Sequence, residues 1–572
     1  MKKRWVINTP PEWEKIDKLS KELNCSHVIA NLLLQRGVPT AEEAHAFFNP
    51  TLNMLHDPFL MKDMDKAVTR LEKAIGNEEK VMIYGDYDVD GTTAVALLYK
   101  YLKNKCNKAE YYIPDRYTEG YGVSIRAIDY AALNGITLMI VTDCGVKAVE
   151  KVRYANSQGV DIIICDHHTP GDELPDAIAV LDPQRKDCNY PYRWLSGCGV
   201  SFKLAQAYSI KHNLPMSDLY KLLDLVCVSI ASDIVPITGE NRILAHFGLL
   251  QLNQKPSLGL KTILNFSGIG KDLTINDIVF RIGPKINAAG RVESGNKSVE
   301  LLIADDEIKA SEVAASINNF NDQRKKLDHD ITEEALEYIN QSHYDQSQKA
   351  TVLYNPNWHK GVIGIVASRL TEYYYRPTVI LTESNGLATG SARSVEGFDL
   401  YYAISQCSEF LENYGGHKYA AGLTLRLENI KPFKAKFQKI VSETITEEML
   451  TPQINIDAQI KLNDITPDLY AMIQKFAPFG PNNTIPVFMT ENVTNFIGSK
   501  QVGRNNEHLK LVVVDDTRVC NDRSGIAFGM GEAFSRISKG EYFDICYTLQ
   551  ENEFMGKSDI QMMIRDLKFK EE

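Results

Sequence analysis

Three carboxylates at alternate positions in a glycine-bounded string, Gly85-Asp86-Tyr87-Asp88-Val89-Asp90-Gly91, are the residues of this sequence best suited to chemistry. Gathered in one loop they would raise one another's pKa, so something positive has to neutralise them. Hard divalent cations do so through carboxylate oxygens. The string also opens like a calcium loop, but the twelfth position counted from Asp86 is Leu97 where that loop needs Glu. Two more acidic points stand out, Asp143 and the triplet Asp166-His167-His168. Imidazole mixed with carboxylate suits Mn²⁺, Fe²⁺ or Zn²⁺, carboxylate alone suits Mg²⁺, and the mixture puts Mn²⁺ first. Taken by itself, a His-His pair is more simply a satisfied pair capping the next helix.

The elements around these residues decide between the two readings. The apolar runs VMIY (81–84), TLMIVT (137–142) and DIIIC (161–165) each lead straight into one of the acidic points. After the first, Thr92 or Thr93 opens a helix over AVALLYKYL. Strand alternating with helix predicts a parallel α/β sheet, in which ligands gather beyond the carboxyl ends of the strands. Three strand ends then deliver ligand-type side chains to one edge.

At 572 residues the chain exceeds a single core, which stops growing at about 250–300 residues. The expected division is a helical segment over 1–75 with a capping box at Thr40 and Glu43, an α/β domain carrying the acids over 76–300, and a long helix over 301–345. A second α/β lobe over 346–448 and a β-rich barrel or sandwich over 449–572 follow. The ten cysteines contain no CxxC pair, so they are expected as reduced core thiols rather than a zinc site. No signal-length or membrane-length apolar run occurs, which points to the cytoplasm. The net charge of −11 argues weakly against a polyanionic partner, since acids grouped around metal ions lower the sum even beside a basic groove.

The strings YGDYDVDG, TDCG and DHH, with Ser232-Asp233 after a helix, resemble the successive motifs of DHH-superfamily phosphoesterases. PDRYTEGYG (114–122), RIGPKINAAGR (281–291), GSAR (390–393), GGHKYAAG (415–422) and APFGPNNTIPVF (477–488) narrow the resemblance to the RecJ branch, over nearly the whole chain. The resemblance implies two α/β lobes, the DHH and DHH-associated domains, joined by the long helix, with a C-terminal OB-like barrel. It implies two divalent cations, Mn²⁺ first and Mg²⁺ second. Asp88 with Asp86 would hold one ion, Asp90, His167 and Asp233 the other, and Asp143 would bridge them. Many relatives carry His where this chain has Tyr84, so Asp86 is expected to substitute at the first ion. His168 would face the scissile phosphate. Two such ions activate water and stabilise the departing oxygen, so no side-chain nucleophile is needed.

Arg393 and Ser391, with the Gly415-Gly416-His417 turn, would hold the terminal phosphate or sugar, guanidinium gripping phosphate in bidentate fashion and glycine amides closing around an oxyanion. Arg116, Arg281, Lys285, Asn287 and Arg291 would contact the strand. Phe488, Phe496, Phe528 and Tyr547 are candidates for base stacking in the barrel. The implied activity is 5′ to 3′ exonuclease action on single-stranded DNA, releasing 5′-mononucleotides in recombination and repair. A monomer beside a helicase and a single-strand-binding protein is implied as well. The alternatives are a phosphodiesterase of the same superfamily for short RNA or cyclic dinucleotides, a pyrophosphatase, and a non-catalytic single-strand-binding scaffold.

Overall fold

The computed structural model describes residues 3–269, 272–341, 348–515, 522–554 and 556–570. Asp516, the end of the expected run HLKLVVVDD, and the expected boundary at 345/346 lie outside the described residues. Two compact units form. One comprises 56–233 and 247–452, the other 3–55, 234–246 and 453–572.

In the first unit, five parallel strands run in the order Ala109–Tyr112, Lys80–Gly85, Ile136–Thr142, Asp161–Cys165, Ala179–Leu181. The middle strands are apolar and buried almost throughout, as expected of a parallel sheet covered on both faces. The helix after the first acidic loop begins at Val89, earlier than the expected Thr92 or Thr93, because Asp88 caps it by accepting from Gly91 N at 3.0 Å. Thr92 and Thr93 instead donate back to the carbonyls of Asp88 and Val89, at 2.6 and 2.7 Å.

The long helix spans Glu307–Gln341, 35 residues and about 50 Å. Ala310, Val313, Ala314 and Ile317 are buried in its first half. Ile331, Ala335 and Ile339 join the core of the second lobe with Trp358, Val366 and Ile380. The helix is therefore anchored at both ends. The second lobe is a five-stranded sheet in the order Leu411–His417, Ala420–Leu425, Leu387–Arg393, Thr378–Ser384, Thr351–Tyr354, parallel only in its last pair.

In the second unit, Phe488–Asn495 pairs with both Phe543–Phe554 and His508–Val514, which closes a barrel through Lys557–Phe569 and Arg523–Ala527. Five strands closed in this way form the OB-like barrel. The expected helical preface is divided. Strand Arg4–Ile7 pairs in parallel with Gln453–Ile456, and Ile16, Leu19, Ile29, Leu32 and Leu33 share one core with Phe488, Leu511 and Tyr547. Residues up to 55 thus belong with the barrel, and those from 56 belong with the α/β lobes.

Burial sorts the aromatic candidates of the barrel. Phe488 and Tyr547 are core, with Tyr547 hydroxyl 2.8 Å from Thr490 Oγ1, whereas Phe496 and Phe528 are exposed. Phe488→Ala is expected to lower stability by about 3–5 kcal/mol, and Phe528→Ala to change it by no more than about 0.5 kcal/mol. Thermal melting of the two variants checks the contrast.

Candidate metal centre

The strand register brings the acids together. Gly85 pairs with Thr142, Thr142 with Cys165, and Cys165 with Leu181. The next residue on each strand is an aspartate, so Asp86, Asp143, Asp166 and Asp182 stand side by side across four strand ends. Asp88 and Asp90 follow in the loop and first helical turn, and Asp233 caps the end of helix Leu223–Ser232.

Three groups of ligand-type atoms each lie within 4.8 Å: Asp86, Asp88, Asp143; Asp90, His167, Asp233; and Asp143, His167, His168. His167 Nε2 lies 3.2 Å from Asp143 Oδ1 and 3.6 Å from both Asp90 Oδ2 and Asp233 Oδ2. Even so, Nε2 makes no hydrogen bond, and buried Asp86 Oδ1 makes none either. A buried polar atom left unpaired costs about 1–3 kcal/mol, so this convergence suits lone pairs aimed at a common cation. Burial and then the neighbouring carboxylates push Asp86, Asp88, Asp143 and Asp233 above the ordinary carboxylate range. Burial holds His167 below its ordinary value, which keeps it neutral as a ligand must be.

Surrounding groups fix the pose. Asp90 accepts from Gly197 N at 2.7 Å, Cys198 N at 2.8 Å and Ser229 Oγ at 2.7 Å, the first two being amides at the start of helix Gly197–Lys211. Asp143 takes a left-handed φ of 59°, strain of the kind found at functional sites. Asp166 accepts from the backbone amides of Val146, His167 and His168 and sits 2.8 Å from His168 Nδ1. Burial alone would raise Asp166, but the bond to His168 keeps it below its usual value. Burial alone would likewise lower His168, and the same bond carries it up to about 9. Asp166 is thus the residue that orients His168. Tyr84 is buried, and its hydroxyl donates to Gly122 O at 2.6 Å.

A basic group faces this edge. Arg291 is pushed down to about 10 by burial and then by the charges of Arg116, Arg324 and Arg393. Its Nη1 donates to Gly361 O at 3.0 Å in the second lobe. Arg116 lies over the Tyr87 ring at 4.8 Å, and Arg393 Nη1 donates to Ser391 Oγ at 2.9 Å. Burial, then the charges of Arg393 and His168, lower His417, which sets all three in one neighbourhood. Asn287 is half-buried on helix Gly283–Val292, between Arg291 and the preceding turn.

One expectation needs correction. Gly415-Gly416-His417 is the end of an edge strand, paired with Gly422, Ala421 and Ala420, and the turn lies beyond it. Arg281 donates to Ser267 O at 2.9 Å and Gly268 O at 3.3 Å, and Lys285 Nζ to Phe266 O and Asn318 Oδ1, both at 2.9 Å. Sequence reasoning missed Arg324, whose Nε is buried without a partner on the long helix, and Asp182, which accepts from Gln184 N at 2.7 Å while the Gln184 amide donates to His167 O. The aspartate directly after an apolar strand at 182 was the available signal.

Family models match in three places, the DHH family N-terminal domain over 80–230, the DHHA1 domain over 347–443 and the RecJ OB domain over 456–566. A Bacillus subtilis strain 168 protein named single-stranded-DNA-specific exonuclease RecJ is 37% identical over 569 residues, 99% of this chain and 71% of its own length. The chain belongs to the RecJ family. The RecJ of Escherichia coli strain K12, also named a single-stranded-DNA-specific exonuclease, is 30% identical over 560 residues, covering 94% of this chain and 95% of that one. Among solved structures, RecJ from Thermus thermophilus in complex with Mn²⁺ shares the fold at a TM-score of 0.84, with 24% identity over 99% of this chain and 79% of that one. Its complex with Mg²⁺ gives 0.79, with 23% identity over 99% and 78%. As the family resemblance implied, two α/β lobes are joined by a long helix and accompanied by an OB-like domain.

Gly197 has no room for a side chain, since an added Cβ would lie 2.6 Å from Asp143 Oδ1. Gly197→Ala therefore displaces Asp143 and is expected to weaken Mn²⁺ binding by about 10–100-fold, the usual size for disturbing a group that orients a ligand. Calorimetric titration with Mn²⁺ checks this.

Proposed function

We propose that this RecJ-family chain is a two-metal-ion exonuclease that removes nucleotides from the 5′ end of single-stranded DNA as 5′-mononucleotides. The single observation that carries the reading is the pairing of ligand groups Asp86/Asp88/Asp143 and Asp90/His167/Asp233 at one sheet edge, opposite a guanidinium group. The orphaned His167 Nε2 and Asp86 Oδ1 and the mixed imidazole and carboxylate donors fit a divalent cation, Mn²⁺ first and Mg²⁺ second. Asp86 and Asp88 would hold one ion, Asp90, His167 and Asp233 the other, and Asp143 both. Such a pair of ions activates water and stabilises charge on the departing oxygen.

The chain's own groups do the rest. Asp166 holds His168 with its ring half-exposed toward the cleft, so His168 can hold a proton against a non-bridging phosphate oxygen. Arg393, Ser391, Arg291 and Arg116 supply donors for the terminal phosphate, and the strand end Gly415-Gly416-His417 borders Arg393 through Ala420, which pairs with both His417 and Arg393. The closed barrel supplies a second, sequence-tolerant grip on a single strand.

Among the described residues no helix is long and apolar enough to cross a membrane. The family's part in repair and recombination fits an enzyme of the cytoplasm, acting as a monomer on strands opened by a helicase. The matched OB domain favours long strands over dinucleotides, and the complete set of acids favours an enzyme over a binding scaffold.

End-labelled single strands of DNA and RNA, with either end blocked in turn, test the reading. With Mn²⁺, release of 5′-mononucleotides from DNA is expected to continue when the 3′ end is blocked and to stop when the 5′ end is blocked. Asp143→Ala and excess chelator are each expected to abolish it. Release only from free 3′ ends would overturn the polarity, and turnover surviving Asp143→Ala would overturn the mechanism.

A further inference from the structure

Helix Gly283–Val292, which carries Arg291, ends against the second lobe. The last carbonyls of a helix have no partner within it. The Arg291 carbonyl finds one in the Tyr117 hydroxyl, while the Arg291 guanidinium donates to Gly361 O at 3.0 Å. Gly361 has no room for a side chain there, since an added Cβ would lie 2.5 Å from Arg291 O and 2.7 Å from Tyr117 Oη. The Tyr117 ring also meets His359 edge on, with centroids 6.3 Å apart. Tyr117, Arg291 and the turn at 359–361 therefore form one clasp across the seam of the two lobes.

Each half of the clasp is fixed to its own lobe. On the first, the Asp115 carboxylate accepts from Tyr117 N at 3.0 Å and Thr118 N at 2.8 Å, which braces from within the turn that carries Arg116 and Tyr117. On the second, Trp358 and Val362, on either side of the turn at 359–361, are buried in the core of that lobe. Two residues after Val362, a Cβ added to Gly364 would lie 3.0 Å from Ser391 Oγ and 3.2 Å from Arg393 Nη2. A short path of packed groups thus runs from Tyr117 through Gly361 and the start of helix Ile363–Tyr374 to Arg393. Lys360, inside the turn, is held below its ordinary value first by burial and then by the charge of Arg116, so the turn sets a second-lobe cation near a first-lobe one.

We propose that Tyr117 is a positioning residue that sets the separation of Arg291 from Arg393, and that this separation makes the basic group select a strand end bearing a phosphate over one bearing a hydroxyl. The inference rests on the nuclease reading above and goes beyond it in assigning the clasp. A terminal phosphate is a compact anion, and guanidinium groups grip it only where their donors converge on its oxygens. Arg291, Arg116 and Arg393 repel one another and drift apart unless something holds them. The Tyr117 hydroxyl and the Gly361 carbonyl supply that hold as neutral groups. A carboxylate in their place would pair with Arg291 and take up the charge that the phosphate needs.

The test compares short single strands of DNA with a 5′-phosphate and with a 5′-hydroxyl, using the full chain and Mn²⁺. The wild type is expected to show the lower KM on the phosphorylated strand. Tyr117→Phe removes one hydrogen bond and is expected to raise that KM by about 3- to 10-fold, with kcat and the KM of the hydroxyl strand held. Gly361→Ala, which pushes the clasp from the other side, is expected to act in the same sense. With Arg291→Ala already in place, Tyr117→Phe is expected to add nothing. An active wild type indifferent to the terminal phosphate overturns the clasp. So does a Tyr117→Phe variant whose KM is unchanged, whose loss is equal on both strands or falls on kcat alone, or whose effect persists undiminished beside Arg291→Ala. A wild type that degrades neither strand overturns the nuclease reading instead.

Discussion

Mutual repulsion among buried carboxylates is the constraint on which the rest of this structure depends. Five aspartates and His167 meet at one sheet edge, with Asp86, Asp90 and Asp143 almost wholly withdrawn from water. Two like charges 4 Å apart repel by about 4 kcal/mol even at an effective dielectric of 20, and a whole domain is stable by only about 5–15 kcal/mol. Such a cluster must therefore carry protons or cations. The raised carboxyl pKa values are the protonated answer, and the partnerless His167 Nε2 and Asp86 Oδ1 point to the cationic one.

The surrounding fold bears this strain through backbone geometry. The parallel register fixes four aspartates at one level, helix Gly197–Lys211 turns its first amides onto Asp90, and Asp166 holds His168 by the ring nitrogen and the backbone together. The second lobe returns a basic group to the same edge, and the long helix couples the lobes by contributing to both cores while adding Arg324 between them. A basic group and an acidic cluster thus share one edge, the arrangement that the proposed cleavage of a phosphodiester would use.

The clustered acids were legible because parallel strands buried on both faces read as unbroken apolar runs, so the first aspartate after each run marks a strand end. What stayed hidden depended on contacts remote in sequence or on one hydrogen bond. Strand Arg4–Ile7 finds its partner at Gln453–Ile456, and the helices after it find their core in the barrel, which no local pattern announces. The start of the helix at Val89 hangs on the Asp88 cap, and Gly415-Gly416, with the glycine pattern of a turn, forms an edge strand because its partner strand supplies the bonds. Arg281 also bonds two carbonyls at a helix end, a use that its charge does not announce. Phe488 and Phe528 are alike in sequence and separated only by burial.

Anomalous diffraction at the manganese edge from crystals grown with Mn²⁺ tests the central claim most directly. Two peaks are expected, one among Asp86, Asp88 and Asp143 and one among Asp90, His167 and Asp233, with Asp143 touching both. No peak at that edge, or a single ion that leaves Asp86 and Asp88 unligated, would contradict the account.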